Sequence, residues 1–257
     1  MFLQKIVSET IYQAQRDEKN KIIAISEAIE KLIIKEKNIK SLFDEVSTLI
    51  KLNLDETLFF EISSGGSKAT TLEDSKLKKI FITLREDISE DEIQSVLVHE
   101  LGEADYLARK LPIAFNVRED ELHGRIIELF SHPHCRRLAE IFGLEEVEGL
   151  YRNNANDICI HNHNEKSKYD YGWQKLLGVA WYLLTYPDLW EFRKRLATYC
   201  EFADTIDEIC EIVNNTDTMS NDINLVEESM QRIINVLHSV ENSNYKLPDY
   251  IIMKSRK

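Results

Sequence analysis

Residues 89 to 109 constrain this chain more than any other stretch. Ser89 has N-cap chemistry, Glu92 three residues on completes a capping box, and Ile88 with Ile93 can close a hydrophobic staple around the start. Ile93, Val96, Leu97, Leu101, Ala104 and Ala108 then recur at three- and four-residue spacing, which predicts one packed helix running to about Arg109. On a second face, His99 and Glu103 stand i and i+4, about one turn apart, with Glu100 offset by roughly 100°. Val96, Leu97 and Val98 make the middle of this helix apolar, so an imidazole and two carboxylates there need a partner wherever they are buried. A single cation would serve all three; the plainer alternative is a solvated polar pair on a surface helix. Gly102, in mid-helix, costs about 1 kcal/mol relative to Ala. It is either simply tolerated or marks where a neighbouring segment comes close.

The surroundings of this helix read as helices with a small strand-forming insert. Only eight glycines and four prolines interrupt the chain. Residues about 2 to 16 and 20 to 50 carry apolar positions at helical spacing, for instance Ile22, Ile25, Ile29, Leu32 and Ile33. "TLFFEI" (Thr57 to Ile62) and "KKIFITL" (Lys78 to Leu84) are β-branched and aromatic runs that predict two strands, with the glycine- and serine-containing "SSGGSKATTLEDS" as the connection. Beyond Leu111-Pro112, "REDELHGRIIELF" predicts a helix ended near Pro133, and "HCRRLAEIF" another stopped by Gly143. After the asparagine-rich segment Asn153 to Tyr171, helices are expected in "GWQKLLGVAWYLLTY", "LWEFRKRLATYCEF", "TIDEICEIV" and "NLVEESMQRIINVLHSV", and the last ten or so residues should fray.

Composition closes off several functions. A formal charge of -13, with no basic run, disfavours nucleic acid, whose binding is driven by Lys and Arg clusters. No window approaches the ~18 uncharged apolar residues that a membrane span needs, and the N-terminus lacks the pattern of a signal peptide. Cys135, Cys159, Cys200 and Cys210 form no C-x-x-C pair and read as reduced thiols, so a cytoplasmic chain is expected.

The order helix, strand, strand, then a capped helix bearing "VLVHELGEA" resembles the core of the zincin metallopeptidases, and in particular their small bacterial intracellular members. The likeness covers roughly Ile29 to Gly143. It implies that "KKIFITL" lies along the edge of a cleft and can hold an extended peptide by β-augmentation. It implies that His99 ligates Zn2+ and that Glu100 is the general base toward a metal-bound water. The family's second histidine falls at Glu103 here. A carboxylate is a legitimate zinc ligand, but its charge makes the ion a weaker activator of water, and another divalent metal is possible. The resemblance implies a third ligand from the following helix. Glu121, His123, Glu128, His132 and His134 fall in that window, of which His132 is the first choice and Glu128 the second.

Other polar features carry less. His161 and His163 with Glu165, in "IHNHNE", read first as a polar loop; His238 reads as a surface residue, and Tyr169 and Tyr171 as packing residues. The aromatic-rich "WQKLLGVAWYLLTYPDLWEF" reads as core or a helix-helix interface, through which the chain could self-associate. The expected fold is therefore α+β and mainly helical: a small sheet packed on a zincin-type motif helix within residues 1–150, and a helical C-terminal region over 151–257. The expected function is a zinc-dependent hydrolase acting on a protein or peptide, with a catalytically inactive interaction protein on the same scaffold as the alternative.

Overall fold

The structure, a computed structural model, describes residues 25–31, 35–116, 122–151, 172–185, 203–220, 222–240 and 251–254. The fold is α+β and mainly helical, with a small mixed sheet. The chain divides into two compact units, one of Met1–Arg109 with Cys135–Asn153, the other of Lys110–His134 with Asn154–Lys257.

The first unit holds the sheet. A helical stretch over 25–31 buries Ile25 and Ile29, and helix α1 (Lys37–Leu54) buries Ile39, Leu42, Val46 and Ile50 at the spacing of a single stripe. Strands β1 (Thr57–Ser63), β2 (Ala69–Asp74) and β3 (Lys79–Arg85) follow, in the spatial order β1-β3-β2. β3 alternates strictly, with Ile80, Ile82 and Leu84 buried, and β1 adds Leu58 and Phe60 to the same face. Helix α2 (Glu90–Ala108) packs on β2 and β3, and α1 packs against α2 and β1.

Two expectations are corrected in this sheet. "KKIFITL" is its central strand, paired parallel with β1 and antiparallel with β2, so both its hydrogen-bonding edges are taken and it offers none to a peptide. The edges belong instead to β1 and to β2, and β2 lies inside the stretch expected to be a connection. Ala69–Asp74 carries Thr70, Thr71 and Leu72, whose short β-forming run was hidden by the glycines and serines before it.

Helix α2 keeps its expected bounds, with Ser89 extended at the N-cap and Arg109 at the C-cap. The capping box is not formed as expected: the Ser89 hydroxyl donates to Glu92 Oε2 at 3.0 Å, while the Ser89 carbonyl accepts from the backbone of Glu92 and Ile93. Glu92 is drawn off by Lys68, whose ammonium lies 2.5 Å from Oε1. Ile88 and Ile93 are both buried, as a staple requires.

The two helices expected on either side of Pro133 are one helix, α3 (Leu122–Ile141), with the proline inside it. Proline removes the bond to the carbonyl four residues back, a loss of about 3 kcal/mol in a helix interior. Burial of Leu129 and Phe130 before it, and of Cys135, Leu138 and Ala139 after it, carries the helix through. It ends at Gly143, at φ 65°, with the Leu144 N–H bonded to the Ala139 carbonyl. A short helical stretch over 145–151 follows.

The second unit is helical, with a small two-stranded sheet. Helices α4 (Gly172–Thr185), α5 (Ala203–Asn214) and α6 (Ile223–Ser239) pack in sequence, α4 on α5 and α5 on α6. In α4, Leu176, Val179 and Ala180 are buried and Leu183 is half-buried, in keeping with a core role. Residues expected to fray at the C-terminus instead form β5 (Ile251–Lys254), antiparallel to β4 (Ile113–Asn116). "LWEFRKRLATYCEF", the helix expected over 2 to 16, and His161, His163, Glu165, Tyr169 and Tyr171 lie outside the described residues, while His238 is exposed on α6. Among the described residues no helix is long and apolar enough to cross a membrane.

Candidate metal centre

The helix that carries His99 is far more buried than its apolar stripe alone requires. Besides the six expected stripe residues, Val98, His99, Glu100, Gly102, Asp105 and Tyr106 are all buried, because the sheet covers one side of α2, α1 another, and the Cys135 end of α3 a third. A buried imidazole and a buried carboxyl on adjacent residues are expensive unless something partners them. His99 is 2 % and Glu100 3 % exposed, which excludes the solvated-pair reading.

His99 Nε2 lies 3.6 Å from Glu103 Oε1. That is long for a hydrogen bond and close to the roughly 3.3 Å that separates two donors on one tetrahedral zinc with bonds near 2.05 Å. Ligand atoms of His99, Glu103 and His132 all lie within 4.8 Å of one another, so this His-Glu-His group could hold a metal ion. His99 is buried while Glu103 and His132 are half-buried.

The other residues of the ligand window go elsewhere. Glu128, one turn before His132, has its Oε2 3.4 Å from Arg125 Nη1 and is not part of the group. His134 is fully buried, with Nδ1 3.0 Å from Thr218 Oγ1. Glu121 lies outside the described residues, as does the side chain of His123. His132 itself meets the Trp181 ring edge-on at 5.3 Å between centroids.

Three neighbours of the motif helix were not singled out from sequence. Thr71 Oγ1, from β2, donates to Glu100 Oε2 at 2.7 Å and lies 3.2 Å from the Glu100 carbonyl. Tyr151 stacks on the His99 imidazole with 3.9 Å between centroids and 14° between planes. Glu148, one turn earlier on the same stretch, is 2 % exposed and close enough to His99 for its charge to act on the ring. Each comes from a segment distant in sequence; only the β-branched pair Thr70-Thr71 hinted at a strand there.

These contacts set the protonation of the pair. Burial pushes the Glu100 carboxyl up to about 8, with the Glu103 charge adding to it, while His99 and the Thr71 hydrogen bond pull the other way. For His99, burial pulls the imidazole down, but Glu103 first, then Glu100 and Glu148, outweigh it and hold it above its ordinary 6.5. Burial holds the Cys135 thiol well above its usual value, so it packs as a small apolar group.

Gly102 also has its explanation here. A β-carbon at that position would meet Cys135, so the glycine lets α3 approach α2 closely, just where α2 carries its polar face. No protein-family model, curated protein or solved structure matches this chain.

Proposed function

We propose that this chain is a zinc-dependent hydrolase of the zincin type, acting as a peptidase on an intracellular protein or peptide. The observation that carries the reading is the meeting of His99, Glu103 and His132 donor atoms within 4.8 Å, with Glu100 next to His99 on the same helix. In this reading the three side chains hold the ion. Zinc so held supplies Lewis acidity and a water of lowered pKa. Glu100 takes up and returns the proton of the hydrolytic step. Glu103 in place of a second imidazole leaves the centre one negative charge richer, and this favours slow turnover.

That same feature supports the second reading, a zincin-shaped interaction protein without turnover, as does the depth at which Glu100 is buried and bonded to Thr71.

Elemental analysis of the purified chain is expected to find about one zinc or similar ion per molecule, and His99→Ala to lose it. Unchanged metal content in that variant would remove the centre. Glu100→Gln should retain the metal and lose all hydrolysis; full activity in that variant would exclude Glu100 as the base.

A further inference from the structure

On the helix-facing side of the sheet, Phe60, Ile82 and Thr71 lie in one row across the three strands, all buried. The row is apolar across β1 and β3 and ends on β2 in a hydroxyl. Valine would fill the same space, but a buried hydroxyl must be given a partner. Thr71 is 9 % exposed and its partner is Glu100. A threonine hydroxyl has a single proton, and the 2.7 Å contact to Glu100 Oε2 is the shorter and more favourable of its two.

Resting on the hydrolase reading above, we propose that Thr71 is a positioning residue for the hydrolytic step: it holds Oε2 of Glu100 and leaves Oε1 as the oxygen that exchanges the proton. The terminal torsion of a glutamate is broad, so its carboxylate turns freely unless something holds one oxygen. Proton transfer needs the acceptor within about 2.6 to 3.2 Å of the proton's donor, and a turning carboxylate meets that condition only part of the time. Thr71 is itself held by the β2–β3 ladder, opposite Ile82, so the restraint on Glu100 is anchored to the sheet and not to the helix that bears it. Thr71 acts through Glu100, so its loss should lower kcat and leave KM and metal content alone. A purely structural role, filling space between β2 and α2, would be met equally well by valine.

The test uses the full zinc-loaded chain on a pool of peptides from a digested cell lysate read by mass spectrometry, with the best-cleaved peptide remade as a quenched fluorogenic substrate. Thr71→Val, with Thr71→Ala as a second variant in case valine impairs folding, should keep its zinc and its KM. Its kcat should drop by about 10- to 100-fold, the scale of a misdirected general base. Thr71→Ser, which restores the hydroxyl, should recover most of that loss. Wild-type kcat in Thr71→Val and Thr71→Ala alongside an inactive Glu100→Gln overturns the role of Thr71 alone, as does an equal loss in the serine variant. No cleavage of any peptide by the zinc-loaded wild type overturns the hydrolase reading, and the role of Thr71 falls with it; the two failures are told apart by whether Glu100→Gln has activity to lose.

Discussion

A β-carbon added to Gly102 would stand 2.7 Å from Sγ of Cys135 and 2.8 Å from both its Cα and its Cβ. Trimming the cysteine side chain would relieve only part of this, because the Cα belongs to the backbone of α3. Gly102→Ala should therefore destabilise the chain by about 1 to 3 kcal/mol, although alanine favours a helix over glycine by about 1 kcal/mol. His132 lies one turn before Cys135 on the same helix, so zinc affinity should fall as well. Thermal unfolding and zinc titration of the variant check both; an unchanged Tm would mean that the helices separate more easily than their packing implies.

Zinc binding should weaken as pH falls. In the proposed centre His99 would bind as the neutral imidazole, and the surrounding carboxylates, Glu103 foremost, hold its pKa above 6.5 against the pull of burial. Protons thus compete with the metal already as pH drops toward 6.5, and the competition strengthens below it. Glu148→Gln, which removes one of the charges that raise His99, should move the onset of this loss to lower pH. Competition titration with a chelator over a series of pH values measures it.

Glu100 should make the metal-free protein less stable in alkali. Its folded pKa, about 8, lies above the ordinary 4.5. The stability gained by keeping the proton is fully present below 4.5 and is lost as pH rises through 8. Glu100→Gln removes the titrating group at nearly constant shape, so the metal-free variant should melt higher than the wild type at pH about 9 and lose that part of the pH dependence. Parallel slopes between pH 4.5 and 8 in the two chains would assign the effect elsewhere.

The motif helix ends on a buried ion pair. Asp105 is fully buried and Arg109, one turn on, is 15 % exposed at its side chain. Arg109→Met removes this pair and should cost about 1 to 3 kcal/mol. Asp105→Leu in the same chain should return part of that loss, since an apolar pair avoids the desolvation of a buried carboxylate. Urea unfolding of the single and double variants decides it; additive losses would show that the two residues act separately.

The sequence by itself determined the elements whose signals are local. Ser89 and Ile88 marked the start of α2, the stripe from Ile93 to Ala108 marked its buried side, and the β-branched and aromatic residues of "KKIFITL" marked β3, since capping, helical spacing and strand propensity are properties of a few neighbouring residues. The same spacing placed His99 and Glu103 on one turn. The tertiary structure decided what no local signal encodes. It set β2 at the sheet edge with Thr71 facing Glu100, because strand order is a choice among long-range pairings. It ran α3 through Pro133, because burial on both sides outweighs one missing backbone bond. It brought His132, and not Glu128, to the His99-Glu103 turn, because two residues one turn apart on a helix look alike in sequence and differ only in what the fold brings to face them.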